Sequence, residues 1–130
     1  RRAGQQLMRL DRARSDGPVV SGLSAAGFRV DDNVYHALAI TPERADGWTP
    51  PPLAALDQGD LELVLALDPH PEFLLLGTGP TLVRPPVTLV RALEARGIGI
   101  EAMDSRAAAR AWGMLRGEGR WVVGAFYPVA

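Results

Sequence analysis

The sequence predicts one α/β domain of three layers. Its mixed β-sheet should have a parallel β-α-β-α-β C-terminal half, preceded by antiparallel strands. Three observations predict this. From Phe73 onward, short apolar runs alternate with segments of helical period. Phe73 to Leu76 is continuously apolar, as a strand buried on both faces must be. Before residue 42, β-rich runs are separated by turn residues and not by helices, which suits antiparallel pairing.

The elements follow in order. Residues 1–16, RRAGQQLMRLDRARSD, carry five Arg and few apolar residues and read as a mobile basic arm. The α/β domain should occupy 17–130. Val19 to Leu23, Phe28 to Val30 and Val34 to Thr41 read as strands, with Gly27 and Asp31-Asp32-Asn33 as turns. The proline-rich PERADGWTPPP reads as a loop. In GDLELVLALD, Leu61, Val64 and Leu65 share a helical face, with Asp60 as its cap and Asp68-Pro69 as its stop.

After the Phe73–Leu76 strand, Pro86, Leu89, Val90 and Leu93 fall at i, i+3, i+4 and i+7, and Gly97 ends that helix. Ile98 to Met103 is a strand. Ser105 is placed to cap the next helix, where Ala108, Ala111, Trp112 and Leu115 form the buried stripe. Arg106 and Arg110 lie on its wet face. Gly117 closes it, and Trp121 to Tyr127 forms the last strand. Single helices between strands imply right-handed parallel crossovers.

Composition narrows function. The chain has 130 residues and a formal net charge of −1, so no overall basic field exists to hold nucleic acid. With no cysteine, thiolate catalysis, disulfides and cysteine metal sites are excluded. All 14 basic residues are Arg, which excludes Schiff-base and P-loop lysines. No apolar run is long enough to span a membrane, and no apolar signal core opens the chain, so a cytoplasmic protein is expected.

The candidate site is the corner Gly77-Thr78-Gly79. Glycines after a buried parallel strand bring backbone N–H groups to the sheet edge where open α/β folds bind ligands. Asp104 and Ser105 end the following strand and should reach the same rim, while Arg84 could pair with an anion there. The dinucleotide fingerprint is incomplete. Pro80 follows the second glycine, no third glycine comes, and the helix starts late. The commoner role of such glycines is a turn with positive φ, and of such a Ser or Asp a helix cap.

Other candidates carry less. His36 and His70 have no metal-ligand spacing. GLSAAG around Ser24 is one residue too long for a nucleophile elbow. Asp31, Asp32 and Glu62 read as turn and surface charges. Trp48 sits in the proline-rich loop, where it could close over a cleft. No catalytic constellation emerges, and no cofactor or metal is called for.

LLLGTG, then RGIGIEAMDSRAAARAW and EGRWVVGAFYP, in that order and spacing, resemble the domain-of-unknown-function four-nine-eight family. This family of small bacterial and archaeal proteins includes the third assembly factor of mitochondrial complex I and an animal adipogenesis-associated protein. The resemblance runs from about Val34 to Val129. Gly77, Thr78 and Gly79 match its strand-end motif; Gly97, Ile98, Glu101 and Met103 its second; Glu118, Gly119 and Arg120 its last. Ser105 stands where the family usually has Thr, and Ala111-Trp112-Gly113 replaces an aromatic-Asn segment. The resemblance implies a three-layer α/β fold and no established enzymatic activity.

The expected function is a non-catalytic protein-binding module that assists assembly of a respiratory or other membrane complex. The alternative is a small-molecule or anion-binding domain, or a weak enzyme, with its site at the Gly77-Thr78-Gly79 turn. The partner is expected to be another protein, and an edge strand or exposed apolar face would support a homodimer.

Overall fold

The computed structural model describes residues 17–130; the basic arm expected over 1–16 lies outside the described residues. Among the described residues eight strands run in chain order: β1 Gly22–Ser24, β2 Gly27–Val30, β3 Asn33–Tyr35, β4 Leu38–Ile40, β5 Ala45–Gly47, β6 Phe73–Gly77, β7 Gly99–Met103 and β8 Val123–Phe126. The α-helices are α1 Glu62–Leu65, α2 Val87–Ala95 and α3 Ser105–Gly117. β1, β2 and β3 form a small antiparallel sheet. The main sheet has five strands in the order β5-β4-β8-β6-β7, with β7-β6-β8 parallel and β4 antiparallel to both neighbours.

Side-chain alternation along the central strands makes the layers. Leu74 and Leu76 of β6, Val123 and Ala125 of β8, and Ala39 of β4 face α1 and α2. Leu75, Phe126, Leu38 and Ile40 face the other way, against Ala108, Ala109 and Trp112 of α3 and Phe28 and Val30 of β2. Helices therefore lie on both faces, and the small sheet shares its side with α3. The antiparallel section is split between the two sites open to it: β1–β3 add a layer, while β4 and β5 extend the main sheet's edge.

The structure revises several local expectations. Val34 to Thr41 is not one strand. Its exposed or half-buried beginning belongs to β3, and its continuously buried Leu38–Ile40 belongs to β4. The change from alternating to continuous apolar residues marks the change of sheet. The 42–52 segment is not all loop. The Thr41 hydroxyl accepts N–H bonds from Glu43 and Arg44, both at 3.1 Å, and turns the chain so that β5 pairs back on β4.

The first helix is shorter than expected. A 3₁₀ turn over Gln58–Leu61 runs into the single turn of α1. Asp57, not Asp60, is the N-cap of the 3₁₀ turn; the two form a reciprocal box, Asp60 N–H to Asp57 Oδ1 at 3.2 Å and Asp57 N–H to Asp60 Oδ2 at 3.0 Å. Pro86 is the N-cap residue of α2 and not part of its apolar face. Gly97 adopts φ +76° and ends α2 as expected.

Trp112 is fully buried, and its indole N–H donates to the Pro18 carbonyl at 2.9 Å, tying the start of the described chain to α3. Beside it, Gly113 sits inside the helix with nothing within 4 Å of where a Cβ would lie. Gly113→Ala is expected to stabilise the fold by about 0.5–1 kcal/mol, because the substitution lowers the entropy of the unfolded chain and adds no clash. Urea denaturation should show the midpoint rise with an unchanged slope.

Candidate functional site

β6 ends at Gly77, where the backbone has no room for a side chain. A Cβ would lie 2.8 Å from Ser105 Oγ, 3.1 Å from Ser105 Cα and 3.2 Å from Phe126 Cα. Gly79 follows at φ +107°, a conformation that favours glycine. The carboxyl ends of β6 and β8 and the start of α3 thus meet at one corner.

Ser105 joins them. Its Oγ accepts the Gly79 N–H at 2.9 Å and donates to the Tyr127 carbonyl at 2.7 Å. Its own N–H donates to the Gly79 carbonyl at 2.8 Å, and Tyr127 N–H to the Gly77 carbonyl at 2.9 Å. Ser105 is not the helix cap. Asp104 caps α3, its Oδ1 accepting the Ala107 N–H at 2.9 Å, and Ser105 is the first helical residue. Asp104 takes this role because its carboxylate complements the helix N-terminus.

Thr78 is equally engaged. Its N–H donates to the Met103 carbonyl at 2.9 Å. Its hydroxyl donates to the Thr81 carbonyl at 2.7 Å and accepts the Val83 N–H at 3.0 Å, folding the next turn back on itself. Thr78 is 6% exposed and Ser105 0%. The structure brings Gly77, Thr78, Gly79, Asp104 and Ser105 together, with their hydroxyls on backbone partners. Arg84 is exposed on the loop beyond.

Trp48 is half-buried and stands edge-on to Tyr127, ring centroids 5.8 Å apart at 77°. The Tyr127 hydroxyl donates to the Pro51 carbonyl at 2.7 Å and pins the proline-rich loop against the main sheet. His36 and His70 are both exposed.

An opening that sequence reasoning missed lies on the α3 face. It is a mostly apolar groove of about 270 Å³ between α3 and the outer strand β7. Phe73, Leu75 and Met103 form its floor, Ala111, Met114 and Leu115 its wall, and Glu101 and Glu118 edge it. Met114 is 66% exposed. At one end, Arg120 pairs with Glu72 at 2.8 Å, its guanidinium 5.7 Å from the centre of the Phe73 ring. Arg120 and the Trp121 N–H hold the Glu72 carboxyl below its ordinary pKa. Residues so far apart in sequence give no local signal of that contact.

A family described as "Protein of unknown function (DUF498/DUF598)" matches residues 20–127. The chain belongs to this family. NADH dehydrogenase (ubiquinone) 1 alpha subcomplex assembly factor 3 of Danio rerio is 28% identical over 92% of this chain and 69% of its own length. A crystal structure from Bordetella parapertussis is 35% identical, with a TM-score of 0.77, over 85% of this chain and 95% of that one. A Bordetella pertussis solution structure, described as an Mth938-like domain, is 31% identical, with a TM-score of 0.77, over 95% and 92%. The α/β expectation and the family resemblance both hold.

Two predictions follow from the corner. Ser105→Ala strands the Gly79 N–H and the Tyr127 carbonyl in a buried setting, so stability should fall by about 1–3 kcal/mol in urea denaturation. The second concerns Tyr127, whose pKa is pushed from 10.0 to about 12 by burial and then by Asp60. An unfolded chain loses this proton near pH 10 while the folded chain keeps it, so the contribution is full below pH 10 and disappears as pH rises toward 12. The urea midpoint should drop across that window, and Tyr127→Phe should flatten the drop.

Proposed function

We propose that this protein is a non-catalytic protein-binding module that assists assembly of a respiratory or other membrane complex, acting from the cytoplasm. The observation that carries this reading is the contrast between two surfaces. The Gly77-Thr78-Gly79 corner spends its hydroxyls and amides on partners within the chain, whereas the β7–α3 groove leaves apolar side chains open to a partner. The relative from Danio rerio, named as an assembly factor, points the same way. Among the described residues, no helix is long and apolar enough to cross a membrane, so any contact with a membrane complex by this part of the chain would be peripheral. On this reading Gly77, Thr78, Gly79, Asp104 and Ser105 serve the fold and Arg84 is a solvated loop charge.

Deleting the gene tests the proposal. Levels of an assembled membrane complex, read by native electrophoresis and by NADH oxidation in membranes, should fall while its subunits are still synthesised. Normal complex levels would remove the assembly role. Thermal unfolding against nucleotides, phosphates and carboxylates tests the small-molecule alternative. A ligand at a hundred times its dissociation constant would add about 2.7 kcal/mol, and no such shift is expected.

A further inference from the structure

β7 is the outer strand of the main sheet, paired only with β6 among the described residues. Its bonding pattern fixes what the open side offers. Gly99 N–H donates to the Glu72 carbonyl and the Met103 carbonyl accepts the Thr78 N–H, both toward β6. The amides of Gly99, Glu101 and Met103 therefore point inward, and those of Ile100 and Ala102 point out of the sheet. An extended segment added antiparallel would form hydrogen-bonded pairs with Ile100 and Ala102. Glu101 would then occupy the non-bonded position, where facing side chains come closest.

Side chains define the preferred segment. Gly99 pairs with Phe73 in the neighbouring strand and has no side chain to shield that ring from the edge. Met103 lies at the far end of the same face. Between them stands Glu101, an exposed carboxylate that makes no ion pair among the described residues. Glu118 adds a second carboxylate to the groove. Its field reaches Arg120, but Arg120 is bonded to Glu72. Two-fold pairing of a second copy centred on Glu101 would set two carboxylates face to face, and pairing centred on Ile100 or Ala102 would set Glu101 against Gly99 or Met103, so none of these registers brings a cation to it.

We propose that β7 takes a segment of another protein as an added antiparallel strand. An arginine or lysine of that segment faces Glu101, and apolar residues two places to either side cover Phe73 and Met103. This deepens the protein-binding reading above by naming the partner's chemistry, and it rests on that reading. Backbone bonds give the strand its affinity, and the alternating apolar-basic-apolar face gives its selectivity.

The test uses a fluorescein-labelled peptide, Ser-Thr-Val-Thr-Arg-Thr-Val-Thr-Ser, and a twin with Glu replacing Arg. By fluorescence anisotropy the Arg peptide should bind on the order of tenfold more tightly than the Glu peptide. Exposed Glu101→Arg should invert that preference, and amide signals of Ile100 and Ala102 should move on binding. Equal binding of the two peptides, no binding at millimolar protein, or signals moving only elsewhere would overturn the proposal. So would sedimentation showing that the chain dimerises through β7. If peptides fail while gene deletion still depletes a membrane complex, the strand-addition idea alone is lost. If peptides bind as expected and deletion has no effect, the assembly role alone is lost.

Discussion

The Ser105 hydroxyl is the interaction on which the molecule's arrangement turns. It bonds Gly79 after β6 and Tyr127 after β8, while Ser105 itself begins α3. Three segments far apart in sequence are thereby fixed at one point. The contact requires Gly77 to lack a side chain, since a Cβ there would strike Ser105 and Phe126. It also keeps the hydroxyl fully buried, where losing either partner would leave an unpaired backbone group. Once this corner is set, β6, β8 and α3 can pack in only a narrow range of ways.

That constraint reaches the opposite side of α3. The helix is seated against β6 and β8 through Ala108, Ala109 and Trp112, on the same face as Phe126 and Leu75. It is not displaced toward β7, so α3 leaves part of that strand's face uncovered. The other face of β7 carries Ile100, which packs with the α2 cluster. The asymmetry produces the groove. One helix position is locked by a buried hydroxyl, and β7, at one edge of the sheet, receives only partial cover on the α3 face.

The parallel half was legible in the sequence because its signals are local. Continuous apolar residues over Phe73 to Leu76, helical spacing over Leu89 to Leu93, and Gly97 as a stop each depend on near neighbours. The antiparallel half was less legible. Val34 to Thr41 reads as one β-rich run, but its halves are claimed by different sheets, which only long-range pairing decides. β5 was hidden because its hydrogen bonds come from β4 and not from its own propensity. At the corner, the residues were legible and their bonds were not. Glycine and hydroxyl positions announce a close approach, yet nothing in GTGP or MDS says whether the hydroxyls meet a ligand or the chain's own carbonyls. The helix start shows the same limit: Asp104 and Ser105 are both good caps, and the approach of Gly79 to Ser105 leaves Asp104 to serve the helix.

A phosphate cradle works by aiming unspent N–H groups at one point near a helix N-terminus. At this corner the Thr78 amide is bonded to Met103, the Gly79 amide to Ser105, and Pro80 has none. The first turn of α3 gives its Ser105 amide to Gly79 and its Ala107 amide to Asp104. A glycine pattern that resembles a nucleotide loop on paper is here the cost of bringing two strands and a helix into backbone contact. The same logic explains why the open surface is displaced to the sheet's edge. At this corner the buried hydroxyls and amides are satisfied where the chain crosses itself. Outward-facing backbone groups remain at the sheet edges, and at the β7 edge those of Ile100 and Ala102 lie beside an apolar floor.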